Sequence, residues 1–216
     1  PKGDFVIYNT NCHVYVGDTI AVNDDSFGKS YADRTKKIST FFKQEFNKIR
    51  LNAEDANYFK QKLFLNFLYK EQGILKAVKR DFSQNKSIYH QLFYLISDKA
   101  SIAHITTDFG QLDFLLVNQF PSRKVHTYNL NEEHRSIAKA SYINQKFRIK
   151  YADDLSEIWQ NSNVLILSHL QQFNNEIPQN INQIILVCCK FKPNFSGFMQ
   201  THDELKIQVF QRNETN

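Results

Sequence analysis

The sequence predicts an α/β protein: a mostly parallel sheet of about seven strands, preceded by a helical segment and closed by a C-terminal antiparallel hairpin. Three observations predict it. Between residues 101 and 190, short β-branched runs alternate with helical patterns, the order of a parallel sheet with crossover helices. Several of those runs are apolar without a break, as in "NVLILSH" and "QIILVCCKF", which marks strands covered on both faces. The end of the chain, "SGFMQTHDELKIQVFQ", holds two strand-like segments around a polar turn.

The elements follow in order. Residues 5–22, "FVIYNTNCHVYVGDTIAV", are rich in Val, Ile, Tyr and Thr with turn formers at Asn9 to Asn11 and Gly17-Asp18, and read as short strands. From Ser30, apolar residues at Tyr31, Ile38, Phe41, Phe42, Phe46 and Ile49 have helical spacing, with Lys and Arg between them. A second helix is expected from about Ala53 to Glu71 along Phe59, Leu63, Phe67 and Leu68, punctuated by Gly73. Two shorter helical pieces follow at roughly 74–82 and 87–97. Then come "SIAHIT", a helix at 110–120, "KVHTYN", a helix at 132–143, "FRIKYA", and the two apolar strands.

Composition narrows the function. The chain has 216 residues, 42% hydrophobic with 19 Phe, enough to fill a substantial core. Its 27 basic residues are interspersed with 22 acidic ones for a net charge of +5, so no basic run points to nucleic acid. Cys12, Cys188 and Cys189 lack the second Cys/His cluster that zinc needs and read as reduced structural thiols. No apolar run reaches the ~20 residues that span a bilayer. The chain opens at Pro1 directly into "DFVIYN", as the interior of a longer protein would.

The stretch "AHITTDFGQLDFLLVNQ" reads strand, turn, helix. With the strands and hairpin around it, it resembles the class I S-adenosylmethionine-dependent methyltransferases. That resemblance implies an acidic residue at the strand end and a G-x-G-x-G turn. Aligned on it, His104 takes the acidic position, Thr106 and Asp108 the first two glycines, and Gly110 the third. Asn129, at the end of "KVHTYN", takes the place of the acidic residue that holds the ribose hydroxyls. Asp153 in "KYADDL" falls where the family reads the adenine amino group. Ser168 and His169 lie at the carboxyl end of a strand, where ligands of open α/β sheets bind.

Residues 1–50 resemble a different family. "VYVGDTI" followed by a basic helix is similar to the C-terminal tail of bacterial lysophospholipid acyltransferases. Together the two resemblances imply the carboxyl end of a trifunctional protein: an MMPL-type transporter, a lysophospholipid acyltransferase and a class I methyltransferase. The implied division is 1–50 as tail and 51–216 as methyltransferase-like domain. The implied partners are the upstream acyltransferase and transporter domains and a lipid-linked substrate. The implied location is the cytoplasmic face, as a soluble domain of a membrane-associated protein.

Several residues carry two readings. His13 and Asp18 have the H-x-x-x-x-D spacing of an acyltransferase base, but within the tail segment that spacing is expected to be coincidental. His104 is either a core histidine paired with a backbone carbonyl or part of a changed ligand site. Asp108 puts a carboxylate where the methionine carboxylate of the cofactor would lie, and repels it unless a cation compensates. Asp153 and Asp154 serve an adenine reader or a helix N-cap for "DDLSEIW" equally well. Tyr151, Trp159 and Phe173 read mainly as core, and so do Cys188 and Cys189.

Two functions follow. In the first, the domain is a degenerate methyltransferase-like module with weak or absent S-adenosylmethionine binding. The alternative is an active S-adenosylmethionine-dependent methyltransferase on a lipid-linked or small acceptor, for which a glycine-rich turn and an acidic ribose partner would be the mark. A stand-alone acyltransferase is disfavoured because its upstream core is missing from the sequence.

Overall fold

A computed structural model describes Val16, Ala21 and residues 24–191, 193, 195–204 and 206–213. The expected strands within 5–22 and the His13/Asp18 spacing lie outside the described residues. Two compact units divide at Ala53/Glu54.

The first unit contains α1 (Tyr31–Ala53), a single helix of 23 residues. Ser30 caps its start: the Ser30 hydroxyl accepts the Asp33 amide at 3.1 Å, and the Asp33 carboxylate accepts the hydroxyl proton. None of its residues is buried.

The second unit opens on α2 (Lys60–Leu65) and α3 (Gln72–Leu95). Here the structure corrects the sequence reading twice. The helix expected over 53–71 shrinks to six residues between turns, because Ala56, Phe59, Leu63 and Phe67 are buried only when the chain bends around them. The two pieces expected over 74–97 are one helix of 24 residues. Gly73 sits in its first turn, where a missing side chain costs little, and Val78, Phe82, Ile88, Tyr89, Leu92 and Phe93 form one continuous buried stripe.

The sheet comprises β1 (Ser101–Thr106), β2 (Lys124–Asn129), β3 (Ile149–Ala152), β4 (Val164–Ser168), β5 (Gln183–Val187), β6 (Phe198–Glu204) and β7 (Ile207–Arg212). Its order is β3-β2-β1-β4-β5-β7-β6. The first five strands are parallel, and β7 enters antiparallel beside β5 with β6 outside it. This is the Rossmann-like arrangement of class I methyltransferases, as the alternating periods and the terminal hairpin led us to expect.

Helices α4 (Gln111–Gln119) and α5 (Glu132–Ser141) connect β1 to β2 and β2 to β3. The crossovers beyond them depart from the expected crossover helices. "DDLSEIW" makes only a 3-10 turn at Leu155–Ile158, and residues 169–182 between β4 and β5 contain no helix. That face is closed by irregular chain whose Leu170, Phe173, Ile177 and Ile181 pack on Ala103, Ile105, Leu165 and Leu167. Alternation then sends Ile102, His104 and Thr106 of β1 to the opposite face. The strand order reverses between β1 and β4, so the ligand crevice of such a sheet is expected above Thr106 and Ser168.

Candidate functional site

His104 is fully buried in the middle of β1. Its Nδ1 donates to Asp113 Oδ1 at 2.5 Å, and its Nε2 faces Ser168 Oγ at 2.7 Å. The other oxygen of Asp113 accepts from Thr127 Oγ1 at 2.9 Å, and Ser168 Oγ donates to Thr106 Oγ1 at 2.8 Å. Burial alone would lower the His104 pKa, but the Asp113 carboxylate and its hydrogen bond carry it above the usual value. The result is a buried His104–Asp113 pair in which both ring nitrogens and both carboxylate oxygens have hydrogen-bond partners. A backbone carbonyl, the partner expected from sequence, is not involved.

Asp113 was not singled out by sequence reasoning, although it left a signal. A carboxylate within the apolar helix "QLDFLLVNQ" has to find a partner, and all of Leu112 to Val117 is buried.

The turn after β1 brings Thr106, Asp108 and Gly110 together in a closed form. The amide of Asp108 donates to Thr106 Oγ1 at 3.2 Å, that of Phe109 to Gln111 Oε1 at 2.9 Å, and that of Gly110 to Asp108 Oδ1 at 2.7 Å. All three amides are therefore used by the protein's own side chains. The second oxygen of Asp108 is buried and has no hydrogen-bond partner. Burial pushes its carboxyl pKa up, with His104 pulling it down and Asp113 adding to the rise.

Gly110 has φ 75°, the left-handed region, and a Cβ there would lie 2.1 Å from Tyr151 Oη. Its absent side chain makes room for Tyr151 and Tyr142, which stack with Phe114 behind α4. This is the helix-to-sheet packing duty of the third glycine in nucleotide-binding turns. Tyr151 accordingly belongs to that layer.

Asn129 reaches the strand end as predicted, and both ends of its amide are occupied. Nδ2 donates to the Asp108 carbonyl at 2.6 Å, and Oδ1 accepts from the Asn131 amide at 2.9 Å. Asp153 stands apart at the surface, its side chain 72% exposed, bound to Lys139 at 2.8 Å and near Arg135 at 3.6 Å. The Lys139 hydrogen bond holds its pKa below the carboxylate range. Asp154 takes the capping role, accepting from the Ser156 amide at 2.7 Å.

Two cavities flank the turn. One of about 370 Å³ is lined by polar groups, among them Asp81, Asp108, His134 and His169. The other, about 230 Å³, is lined by Ile105, Tyr128, Leu130, Leu155, Leu170 and Phe173, with the polar Gln172, Asn174 and Asn175. No group of three or more His, Cys, Asp or Glu able to hold a metal ion occurs among the described residues.

No family model and no curated protein matches the chain. Among solved structures it is similar to M. capricolum TrmK in complex with S-adenosyl-homocysteine, at 15% identity and TM-score 0.43, over 58% of this chain and 68% of that one. It is likewise similar to a protein in the NADB-Rossmann superfamily from Streptococcus agalactiae, at 13% identity and TM-score 0.45, over 59% and 68%. An RNA methyltransferase from Salinibacter ruber, in complex with S-adenosyl-L-homocysteine, shares 10% identity at TM-score 0.42, over 61% and 94%.

Proposed function

We propose that the unit from Glu54 to Asn216 keeps the class I methyltransferase fold as an interaction or scaffold module and engages S-adenosylmethionine weakly or not at all. One observation carries the proposal: the turn that would hold the cofactor has closed its three amides on Thr106, Gln111 and Asp108. A cofactor carboxylate would have to displace those partners and then lie against the Asp108 carboxylate. The ribose position offers Asn129, whose amide is already engaged on both sides. Without a charged ribose partner about 1.5–3 kcal/mol is forgone, a tenfold to hundredfold weakening. The residues present therefore do not fit the cofactor.

The second reading, an active S-adenosylmethionine-dependent methyltransferase, is favoured by the apolar cavity between Tyr128, Leu155 and Phe173, whose walls suit a flat ring. S-adenosyl-homocysteine is also the compound that the descriptions of two similar structures name for those proteins. Attachment to lipid-acyltransferase and transporter domains, with a lipid-linked acceptor at the cytoplasmic face, belongs to the same proposal. Its support is the resemblance of "VYVGDTI" and the basic helix after it.

Calorimetric titration with S-adenosylmethionine and S-adenosyl-homocysteine separates the two readings. The closed turn predicts dissociation constants of roughly millimolar or weaker, and tighter binding once Asp108→Gly and Asn129→Asp are combined. Low-micromolar binding by the unaltered chain would refute the closed-turn reading and leave the methyltransferase one.

A further inference from the structure

Helix α1 carries an apolar face that the described residues of its own unit leave exposed. Phe41 is used internally, edge-on to Phe27 at 5.8 Å, whereas Tyr31, Phe42 and Phe46 are 88%, 61% and 63% exposed. At ~100° per residue, Tyr31, Ile38, Phe42, Phe46 and Ile49 fall within an arc of roughly 80°. The basic residues border that arc on both sides. Lys36, Lys43 and Arg50 recur at seven-residue spacing and form one row, while Arg34 and Lys48 lie along the other flank. Six basic side chains face two acidic ones in the helix, Asp33 and Glu45, and Glu45 is paired with Lys48.

We infer that α1 is an interfacial helix that lays its Phe42/Phe46 stripe into an anionic lipid surface, with the two basic rows at the level of the headgroups. The charge pattern decides between occupants. In a symmetric pair of α1 helices the Lys36/Lys43/Arg50 row would meet like charge, and the one carboxylate beside the stripe, Glu45, is already paired with Lys48. A nucleic acid would satisfy the basic rows and leave the aromatic stripe in water, whereas an anionic bilayer satisfies both. The helix cannot cross the bilayer, since no helix among the described residues is long and apolar enough. Its geometry fits the plane of the interface instead. The inference rests on α1 alone and is independent of the state of the cofactor turn.

The test is co-sedimentation of the 216-residue chain with phosphatidylcholine vesicles, with and without about a third phosphatidylglycerol, over a salt series. Binding is expected to the anionic vesicles, weakening as salt rises. Phe42→Ser with Phe46→Ser should lower partitioning on the order of tenfold or more, and Phe42→Leu with Phe46→Leu should retain it. Lys36→Gln, Lys43→Gln and Arg50→Gln together should lower it by on the order of a hundredfold, about fivefold per charge. Far-UV circular dichroism matching the parent would show that the substituted chains remain folded. No binding to anionic vesicles, or binding indifferent to both sets of substitutions, would overturn the inference. So would dimerisation or RNA binding that depends on Phe42 and Phe46 while the vesicles are ignored.

Discussion

Substituting Gly110 by Ala tests whether the one surviving glycine serves packing. The backbone there has φ 75°, where an L-residue pays roughly 1–2 kcal/mol. The added Cβ would meet Tyr151 Oη at 2.1 Å, Tyr142 Cε2 at 3.1 Å and Asp113 Oδ2 at 3.2 Å, all in a buried layer. Overpacking of that kind adds about 1–3 kcal/mol. Together these give about 2–5 kcal/mol, and at about 2–4 °C per kcal/mol for a unit of this size the Tm should fall by roughly 4–20 °C. Far-UV circular dichroism on heating reads it. Tyr151→Phe removes the nearest oxygen, so combining it with Gly110→Ala should recover at least ~1 kcal/mol, a coupling expected only of residues in contact. Gly73→Ala is the control, because a Cβ there meets nothing within 4 Å. If Gly110→Ala melts within ~2 °C of the parent, or Tyr151→Phe gives no recovery, the packing account is wrong.

The remaining predictions concern buried charges. The folded-state pKa of His104 is raised, so its stabilisation is complete below the ordinary histidine value and is lost as pH rises through the folded value. Melting should therefore drop between about pH 6.5 and the raised folded value, and His104→Gln should lower Tm and flatten that slope; an unchanged slope would refute the upward shift of the His104 pKa. Arg123, fully buried, donates to the carbonyls of Phe93, Ile96 and Ser97 and stacks on Phe120. Arg123→Met should cost about 3 kcal/mol by stripping the end of α3 of its donors, and a urea midpoint shift worth less than ~1 kcal/mol would show that the guanidinium is dispensable.

Much of the sheet was legible in the sequence because it is written in local periods. "SIAHIT", "KVHTYN", "NVLILSH" and "QIILVCCKF" each carry a strand signal within a few residues, and the terminal hairpin carries its own polar turn. Each run appears as a strand, in the predicted order along the chain. The helices were read less well where a period was interrupted. Gly73 and the polar "SQNK" looked like breaks in 72–95, yet the helix runs through both because its buried stripe continues on either side. "DDLSEIW" looked like a helix start and made one turn, its Ile158 buried against the sheet face that also takes the 169–182 chain.

What the sequence determined by itself was the class of fold, the lone glycine of the turn after the first strand and the positions that should gather at the strand ends. Tertiary structure alone decided their partners. His104 pairs with Asp113 because a strand, a turn and the first turn of α4 fold back on one another. Its other nitrogen meets Ser168, 64 residues along the chain, because β4 lies beside β1 in the sheet. The turn's closure likewise depends on where the side chains of Thr106, Asp108 and Gln111 end up once α4 is seated. The physical reason is range. Backbone preference and hydrophobic period act over a few residues and are visible in one dimension, whereas a hydrogen-bond partner is chosen by strand order and register, which only the assembled sheet fixes.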